Sequence, residues 1–275
     1  MEELTGRSAV TAPKIEFKHI TKIFETRSQT IVAVKDFNMQ VETGDFVSII
    51  GPSGCGKSTL IRMLDGIIQP TEGELFIEGK KLDTSKPLPR ETLQKMGFIF
   101  QKPNLLPWYT LRQNVALTNK IIGNSDPNAD AYVDELFEMV GLEKFKNAYP
   151  VEVSGGALQR TGVIRAMAHK PEILLMDEPF GALDEMMREQ LNMELLEIWK
   201  KLGITIIFIT HNVEEAVLLS NSIYVMGTQP GRLLEKVEID LPRPRTLSMV
   251  SEPRFAEYEH RLTSLIGHLE LKNIK

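Results

Sequence analysis

A glycine-rich segment with a single lysine lies between a predicted strand and a predicted helix. The segment fits the pattern G-x-x-x-x-G-K-[ST], and it consists of Gly51, Pro52, Ser53, Gly54, Cys55, Gly56, Lys57, Ser58 and Thr59. Residues 46–50 are mostly apolar and β-branched, as in a buried strand, and residues 60–64 have helical apolar spacing. A strand that feeds a loop and then a helix constrains this part of the chain to an α/β fold.

The chemistry of this segment, residues 51–59, suits a phosphate chain, and we call it the phosphate cradle. Glycines allow positive φ, so that successive backbone N–H groups can point at one anion, and the helix N-terminus adds partial positive charge. Lys57 would neutralise the β- and γ-phosphates, and the Ser58 hydroxyl would ligate Mg²⁺. A glycine-rich turn with an unrelated lysine is the ordinary alternative, but it leaves the flanking strand and helix unexplained. The cradle therefore predicts that the chain binds a nucleoside triphosphate.

Composition narrows the class of protein. The chain has 275 residues, of which 42% are hydrophobic and 25% are charged, as expected for one large or two modest globular domains. A net charge of −5 argues against a surface that attracts nucleic acid as a whole. A single cysteine, Cys55, excludes an intramolecular disulfide and any multi-cysteine metal site. No apolar run approaches the roughly 18 residues of a membrane span, and residues 1–14 lack the apolar centre of a secretion signal. We expect a cytosolic chain.

The pattern of predicted elements changes along the chain. Short alternating strands over residues 15–50, with a hairpin connection at Glu42–Asp45, predict an antiparallel β layer before the cradle. Continuous apolar runs at residues 173–176 and 204–209, joined by a helix over 186–202, predict parallel strands covered on both faces. We expect an N-terminal tail at residues 1–14 and an α/β core formed by residues 15–102 and 170–227. A helical subdomain would be inserted at residues 103–169, and a C-terminal extension would follow at residues 228–275.

The extension begins with a predicted strand over residues 232–239 and ends in a predicted amphipathic helix. One stripe of this helix carries the apolar residues Phe255, Tyr258, Leu262, Leu265, Ile266 and Leu269. A surface helix with such a stripe either packs on its own protein or lies on a membrane. We expect it to pack on this protein.

Two adjacent carboxylates follow a predicted core strand. Asp177 and Glu178 come directly after residues 173–176, at the carboxyl edge of a parallel sheet, where ligands bind. Asp177 would hold Mg²⁺ together with Ser58, and Glu178 would orient and deprotonate a water aimed at the γ-phosphorus. Hydrolysis is favoured over transfer, because a kinase needs an acceptor site. A guanine-specific site is disfavoured, because the stretch Asn119–Ile122 lacks the aspartate that reads guanine.

A second helix N-terminus suited to an anion lies between the cradle and the carboxylates. Ser154 is a good N-cap residue, and Gly155 and Gly156 expose the backbone that follows it. One triphosphate needs only one cradle within a chain. We call this segment, residues 154–156, the signature tip.

The joint order of these motifs resembles the ATP-binding cassette family. The order is GPSGCGKST, Gln101, VSGGALQR, ILLMDEP, Gly181-Ala182-Leu183-Asp184 and His211 at the end of a predicted strand. The resemblance covers roughly residues 15–227. It implies a P-loop NTPase core with a parallel sheet, an N-terminal antiparallel β layer and an inserted helical subdomain.

The resemblance also implies a head-to-tail pair of identical chains. ATP would be held between the cradle of one copy and Ser154, Gly155 and Gly156 of the other. Asp184 is similar to a residue of the loop that crosses the dimer seam. The chain departs from the commonest signature, Leu-Ser-Gly-Gly-Gln, by carrying Val153 and Ala157. We expect activity to survive this departure, because the serine and backbone groups contact the phosphate.

Further site residues follow from the resemblance alone. Gln101 is similar to the residue that touches Mg²⁺ or the attacking water, and His211 to the one that contacts the γ-phosphate and helps place Glu178. Phe24 is similar to the aromatic residue that stacks on adenine. Without the family order, Phe24 would be an ordinary core residue and His211 an ordinary histidine at a strand end.

Three segments resemble a narrower group, the import ATPases for nitrate, sulfonates, taurine and related small molecules. They are the apolar loop Gln101–Trp108 and the stretches Gln229–Arg232 and Asp240–Arg245. The loop would be a docking edge, although Trp108 could instead be buried in the helical subdomain. The resemblance implies a peripheral subunit at the cytoplasmic face of the cell membrane. Its partners would be two permease subunits and, indirectly, an extracytoplasmic solute-binding protein.

The alternative from another class is a soluble cassette ATPase that acts on nucleic acid or ribosomes. Such proteins usually carry long coiled-coil insertions or two cassettes in one chain, and this sequence shows neither pattern. We therefore expect no nucleic-acid partner. Salt-sensitive binding to nucleic acid would favour the alternative.

Overall fold

Two β-sheets form the framework of the fold. The computed structural model describes residues 12–26 and 29–272. Its strands are β1 (Ile15–Glu25), β2 (Thr30–Val41), β3 (Phe46–Ile50), β4 (Glu72–Ile77), β5 (Lys80–Lys81), β6 (Met96–Ile99), β7 (Ile173–Asp177), β8 (Thr205–Ile209), β9 (Ser222–Gly227) and β10 (Arg232–Glu238). The smaller sheet is antiparallel with the order β2-β1-β4-β5, and the larger has the order β10-β9-β3-β8-β7-β6.

Helices cover the larger sheet and form a separate group between β6 and β7. They are α1 (Lys57–Leu64), α2 (Arg90–Gln94), α3 (Leu111–Ile122), α4 (Ala129–Met139), α5 (Gly155–Met167), α6 (Glu185–Leu202), α7 (Val213–Leu219) and α8 (Pro253–Lys272). Short 3₁₀ turns lie at Glu143–Phe145, Pro150–Glu152 and Leu247–Ser251. No helix among these residues combines the length and the apolar character that crossing a bilayer requires.

The larger sheet is parallel from β9 to β6, and β10 joins its edge antiparallel. Alternate residues of its central strands enter two different apolar clusters, one on each face. In β7, for example, Leu174 and Met176 belong to one cluster, and Ile173 and Leu175 belong to the other. Each such fully buried side chain stabilises the fold by roughly 1.5–3 kcal/mol relative to an exposed one. Burial on both faces explains why these strands have continuous apolar runs.

The antiparallel layer differs from its prediction in two respects. Residues 15–41 form two long strands rather than several short ones, because register shifts in β1 interrupt its alternation of apolar and polar residues. The connection at Glu42–Asp45 is not a hairpin. It carries the chain from β2 in the small sheet to β3 in the large one, where all five residues of β3 are buried.

Helix α8 packs on its own protein, as predicted, and its neighbours include α7 and β9. Phe255, Tyr258 and Leu262 of α8 are buried in the cluster that also contains residues of α7, while Leu265 and Ile266 are partly buried. The predicted stripe residue Leu269 lies outside the described side chains, and residues 1–11 and 273–275 lie outside the described chain. This packing places α8 against α7, the helix that follows the loop carrying His211.

Candidate functional site

The phosphate cradle has the backbone conformation that its glycines predict. Gly54 and Gly56 have φ values of 77° and 101°, and Gly56 is the N-cap of α1. A Cβ atom at Gly56 would lie 2.8 Å from Cγ2 of Val34, whereas a Cβ at Gly54 would meet nothing within 4 Å. The loop is therefore packed on one side and open on the other.

A cavity of about 230 Å³ occupies the open side of the cradle. It is lined by Ala33, Ser53, Gly54, Gly56, Lys57, Ser58, Thr59 and Glu178. The Nζ atom of Lys57 donates to the carbonyl oxygens of Gly51 at 2.7 Å and Pro52 at 3.1 Å, so the loop holds the ammonium group in place. Backbone N–H groups, a helix N-terminus and a cation thus face one cavity, which is the arrangement that binds phosphates.

Ser58 and Asp177 meet beside this cavity. The Ser58 hydroxyl donates to Oδ1 of Asp177 at 2.9 Å. Burial raises the pKa of Asp177 above its usual value, and the bond from Ser58 only partly opposes this. A hydroxyl and a carboxylate whose charge is poorly compensated fit Mg²⁺, which takes a few protein oxygens and completes its shell with phosphate oxygens and water. Two of the three predicted metal ligands, Ser58 and Asp177, are therefore suitably placed for that ion.

Glu178 and His211 form a pair next to the cavity. Glu178 has φ of 47°, a left-handed conformation that costs on the order of 1 kcal/mol for a residue with a side chain. Its backbone N–H donates to the carbonyl oxygen of Ile209 at 2.9 Å, which holds this turn against the end of β8. Its Oε2 atom lies 3.2 Å from Nδ1 of His211. The turn places the carboxylate at the cavity wall and within reach of the histidine.

Not all predicted site residues line the cavity. Those that do not are Phe24, Gly51, Pro52, Cys55, Gln101, Ser154, Gly155, Gly156, Asp177, Asp184 and His211. Some of them contact lining residues directly, as described above for Asp177 and His211. Gln101 is exposed two residues after the end of β6, and Phe24 is half-buried in β1 with the ammonium of Lys22 above its ring at 4.9 Å. The roles predicted for Gln101 and Phe24 stay predictions.

The signature tip is the exposed N-terminus of α5. Ser154 is the N-cap, and its hydroxyl accepts the N–H of Ala157 at 3.4 Å. Ser154 and Gly155 are exposed, and a Cβ at Gly155 would meet no atom within 4 Å. Gly156 lies against Met187, whose Sδ would be 2.6 Å from an added Cβ. The tip therefore presents free backbone donors to a surface that the described part of this chain does not cover.

Asp184 marks the start of the neighbouring helix. It is the exposed N-cap of α6, and its carboxylate accepts the N–H of Met187 at 3.0 Å. Because Met187 also contacts Gly156, the signature tip and the first turn of α6 lie side by side. The two segments assigned to a dimer seam thus share one face of the molecule.

The residues that support the cradle from behind were not predicted from the sequence. Gly231, from the turn after β9, donates its N–H to the carbonyl oxygen of Ala33 at 3.2 Å, and an added Cβ would lie only 2.0 Å from the Cys55 carbonyl oxygen. Ala33 itself lines the cavity. The sequence signal at Gly231 was a Pro-Gly turn, which indicates a change of direction but not the segment that the turn contacts.

Trp108 is exposed, contrary to the alternative in which it packs inside the helical subdomain. Its exposed fraction is 66%, and its ring centroid lies 6.5 Å from that of Tyr109. A large aromatic side chain in that position is available to a partner.

Comparisons with known proteins agree with this geometry. The family described as ABC transporter matches residues 34–181, a range that contains the cradle, the signature tip and both carboxylates. The aliphatic sulfonates import ATP-binding protein SsuB from Bacillus cereus is 40% identical over 232 residues, which are 84% of this chain and 88% of that protein. The nitrate import ATP-binding protein NrtD from Synechocystis sp. is 38% identical over 258 residues, which are 92% of this chain and 94% of that protein.

A solved structure shows the same fold. It is the dimeric structure of the ATP-binding cassette MJ0796 in a post-hydrolysis state, bound to ADP and Pi. The TM-score is 0.72 at 31% sequence identity, over 83% of this chain and 100% of that one.

Proposed function

Because this chain belongs to the ABC transporter family, we propose that it is the ATP-hydrolysing subunit of an importer for a small solute of the nitrate, sulfonate and taurine class. Its activity is ATP hydrolysis coupled to transport, and its fold is that of an ABC ATPase, as predicted. The observation that carries the proposed mechanism is the meeting of Ser58 with Asp177, and of Glu178 with His211, at one edge of the large sheet.

Triphosphate binding is assigned to the cradle. Its N–H groups would take the β-phosphate oxygens, and Lys57 would move its donors from the loop carbonyls to the β- and γ-phosphates. Bound Mg²⁺ would supply positive charge to the same phosphates while held by Ser58 and Asp177, with Gln101 near it. Phe24 would stack on the adenine ring.

Hydrolysis is assigned to the carboxylate of Glu178. This group would accept a proton from a water molecule as the water oxygen bonds to the γ-phosphorus and the bond to the β-phosphate oxygen breaks. The products are ADP and inorganic phosphate. The His211 ring, held beside Glu178, would orient that carboxylate and contact the γ-phosphate. The strained backbone at Glu178 supports this role, because left-handed non-glycine residues are concentrated at functional sites.

A second copy of the chain would complete each site. The signature tip of one protomer would cap the γ-phosphate bound to the other, while Asp184 of each protomer would lie at the seam between them. ATP would favour the closed dimer, because its γ-phosphate is a ligand shared by both copies, and hydrolysis would remove that shared ligand. Exposure of the tip and of Asp184 on one face supports this assembly.

Coupling to transport is assigned to the helical subdomain, residues 103–169. Its exposed Trp108 would contact one of two permease subunits at the cytoplasmic face of the membrane, and the permeases would receive solute from an extracytoplasmic binding protein. The core would then comprise residues 15–102 and 170–227, and residues 228–275 would brace it.

The test is reconstitution of the chain with its permease subunits and solute-binding protein in liposomes. Nitrate, taurine and short alkanesulfonates would each be added with the binding protein while phosphate release is measured. We expect one of these solutes to stimulate hydrolysis. Hydrolysis that none of them stimulates would refute the solute class, and absence of hydrolysis under all conditions would refute the assigned activity.

A further inference from the structure

A buried carboxylate near His211 lies outside the site described above. Glu215, in α7, is only 5% exposed. Its Oε2 accepts a hydrogen bond from the Thr210 hydroxyl at 2.5 Å, and its Oε1 accepts one from Nδ2 of Asn192 at 3.4 Å. The Nε of Arg188 lies 3.8 Å from Oε1. Burial raises the pKa of Glu215 despite these partners. An acidic group is seldom buried to this degree unless specific partners hold it.

The same contacts hold the backbone on both sides of His211. The Thr210 hydroxyl that donates to Glu215 also accepts the N–H of Asn212 at 3.0 Å, and the Asn212 side chain accepts the N–H of Glu215 at 3.0 Å. The His211 side chain is 60% exposed, so packing around the ring does little to fix it. Its position relative to Glu178 therefore depends on the backbone at residues 210–212.

On its other side, Glu215 contacts the helix that begins at the dimer seam. Asn192 and Arg188 lie in the first two turns of α6, and Arg188 donates from Nη2 to the carbonyl oxygen of Leu183 at 3.1 Å. Leu183 precedes Asp184, the N-cap of α6. One carboxylate thus joins the loop before α6 to the backbone that carries His211.

This arrangement is poorly explained by stability alone. Asn192 Oδ1 and Arg188 Nε are buried and have no hydrogen-bond partner within the described residues. Each unsatisfied polar group of this kind opposes folding, and buried ionic contacts often stabilise a protein less than apolar packing of the same volume. Polar contacts that are present in spite of this cost are candidates for setting geometry.

We propose that Glu215 is a positioning residue for His211. It holds the histidine beside Glu178, in a position set by the first two turns of α6. A shift of residues 181–184 at the seam would then move the histidine through Arg188 and Asn192 of α6 and through their contacts with Glu215, which holds Thr210. The inference rests on the proposed function, in which Asp184 lies at the seam and His211 contacts the γ-phosphate.

The test compares three variants of the full chain, each with ATP turnover, ATP affinity and thermal unfolding measured. Glu215→Gln keeps the side-chain shape but replaces one carboxylate oxygen with an NH₂ group. That group cannot accept the hydrogen bond that the oxygen accepted from Thr210 or from Asn192. Thr210→Val removes the contact on the His211 side, and Asn192→Leu removes the contact on the α6 side. We expect each variant to lower kcat by about tenfold while the dissociation constant for ATP stays within about twofold.

Two features separate positioning from simple loss of stability. Asn192→Leu removes an unsatisfied buried oxygen but also leaves Oε1 of Glu215 without its donor, so its midpoint of thermal unfolding should fall no further than that of Ser220→Ala, while its kcat falls about tenfold. Glu215→Gln combined with Thr210→Val should lower kcat no further than either change alone, because both break the same bond.

Ser220→Ala is the matched control. Ser220 lies at the other end of α7, is fully buried, and donates its hydroxyl to Ser48 at 2.5 Å. We expect this change to lower the unfolding temperature and leave kcat as it is. If Ser220→Ala lowers kcat as much as Glu215→Gln does, buried hydrogen bonds of α7 act only through stability and the proposal is wrong.

Wild-type kcat in Glu215→Gln would also overturn the proposal. If Glu215→Gln does not fold, wild-type kcat in both Thr210→Val and Asn192→Leu would overturn it instead. His211→Ala, assayed in parallel, distinguishes this failure from failure of the proposed function. Full turnover in His211→Ala would refute the role of the histidine itself. Loss of turnover in His211→Ala with normal turnover in the other three would refute only the inference about Glu215.

Discussion

The phosphate cradle and the signature tip are both helix N-termini suited to an anion, yet their surroundings differ. The cradle is backed by Val34, Gly231 and the end of β9, and Lys57 is buried within it. The tip has Ser154 and Gly155 exposed, with open space where a Gly155 side chain would be. One candidate anion site is thus formed within a single chain, and the other presents donors that the described part of the chain does not cover.

Because of this difference, we expect the cradle to bind ATP within one chain and the signature tip to act only when two chains assemble. A cradle whose backbone is already held loses little conformational freedom when a phosphate binds, so one chain should bind ATP by itself. The donors of the tip are hydrated until another surface covers them, so they should contribute only when a second copy closes on the bound nucleotide. Substitutions in each region test whether the cradle acts in ATP binding and the tip in dimerisation.

Glu178→Gln should have the largest effect. We expect hydrolysis to fall by about 10²–10⁴-fold, because the amide cannot accept the proton of the attacking water. ATP binding should persist, and the protein should accumulate with ATP as a closed dimer in size-exclusion chromatography. Glu172→Gln, at the opposite end of β7, is the control and should hydrolyse ATP normally. Near-normal hydrolysis by Glu178→Gln would contradict the assigned base.

Lys57→Ala should weaken ATP binding by about 100-fold or more, because a hydrogen bond to a charged group contributes roughly 1.5–3 kcal/mol and Lys57 would make several. Titration with a fluorescent ATP analogue measures this. Lys81→Ala removes an exposed lysine that pairs with Glu74 at 2.5 Å, and it should bind ATP normally. An unchanged affinity in Lys57→Ala would mean that the cradle is not the primary binding region.

Ser154→Asp with Gly155→Glu should weaken ATP-driven dimerisation by at least about tenfold, since the added carboxylates would face the γ-phosphate and each unfavourable charge contact costs on the order of 1 kcal/mol. Aspartate is also a good N-cap, and Gly155 has room for a side chain, so the fold should be retained. Binding of ATP to the isolated chain should not change.

Thr110→Asp, a change at the N-cap of α3, is the control for the tip variant and should dimerise normally. Full hydrolysis by the tip variant would remove the distinction between the two regions. A loss of ATP binding by its monomer would show instead that the tip acts within its own chain.

Glu194→Gln should have the smallest effect. Arg160 of α5 donates to both Glu194 oxygens, at 2.7 and 2.8 Å, and these partly buried groups tie the tip helix to α6. We expect the free energy of unfolding, measured with urea, to fall by about 1 kcal/mol. Turnover should fall less than about threefold, while ATP affinity stays normal. A large loss of ATP affinity would indicate that the cradle depends on this contact too.

Elements with local signals were predicted closely. The strands expected at residues 46–50, 173–176 and 204–209 lie within one residue of their expected bounds, and helices follow the cradle and begin at Gly155 as expected. Caps, glycines and runs of apolar residues are properties of neighbouring residues, so a linear sequence displays them. The same holds for the cradle, because its glycines and the helix N-terminus that would bind phosphate all lie within nine consecutive residues.

Predictions failed where the answer depended on distant segments. The chain at residues 42–45 has the polar, glycine-containing composition of a hairpin, but it joins two sheets, because β3 pairs with β8 and β9 rather than with β2. Likewise, neither Gly231 behind the cradle nor Glu215 beside the His211 loop could be assigned from sequence spacing. The roles of Gln101 and Phe24 are still predictions, since neither residue reaches the cavity in a single chain.

Local residue patterns were enough to predict the triphosphate cradle and the second helix tip, because the conformations of glycine and of helix termini follow from local sterics and dipoles. Which distant groups meet depends instead on how the strands are ordered in the fold. The strand order brings Asp177 to Ser58, and Glu178 to His211. That order is set by burying both faces of the large sheet, and this burial depends on side chains from across the whole chain.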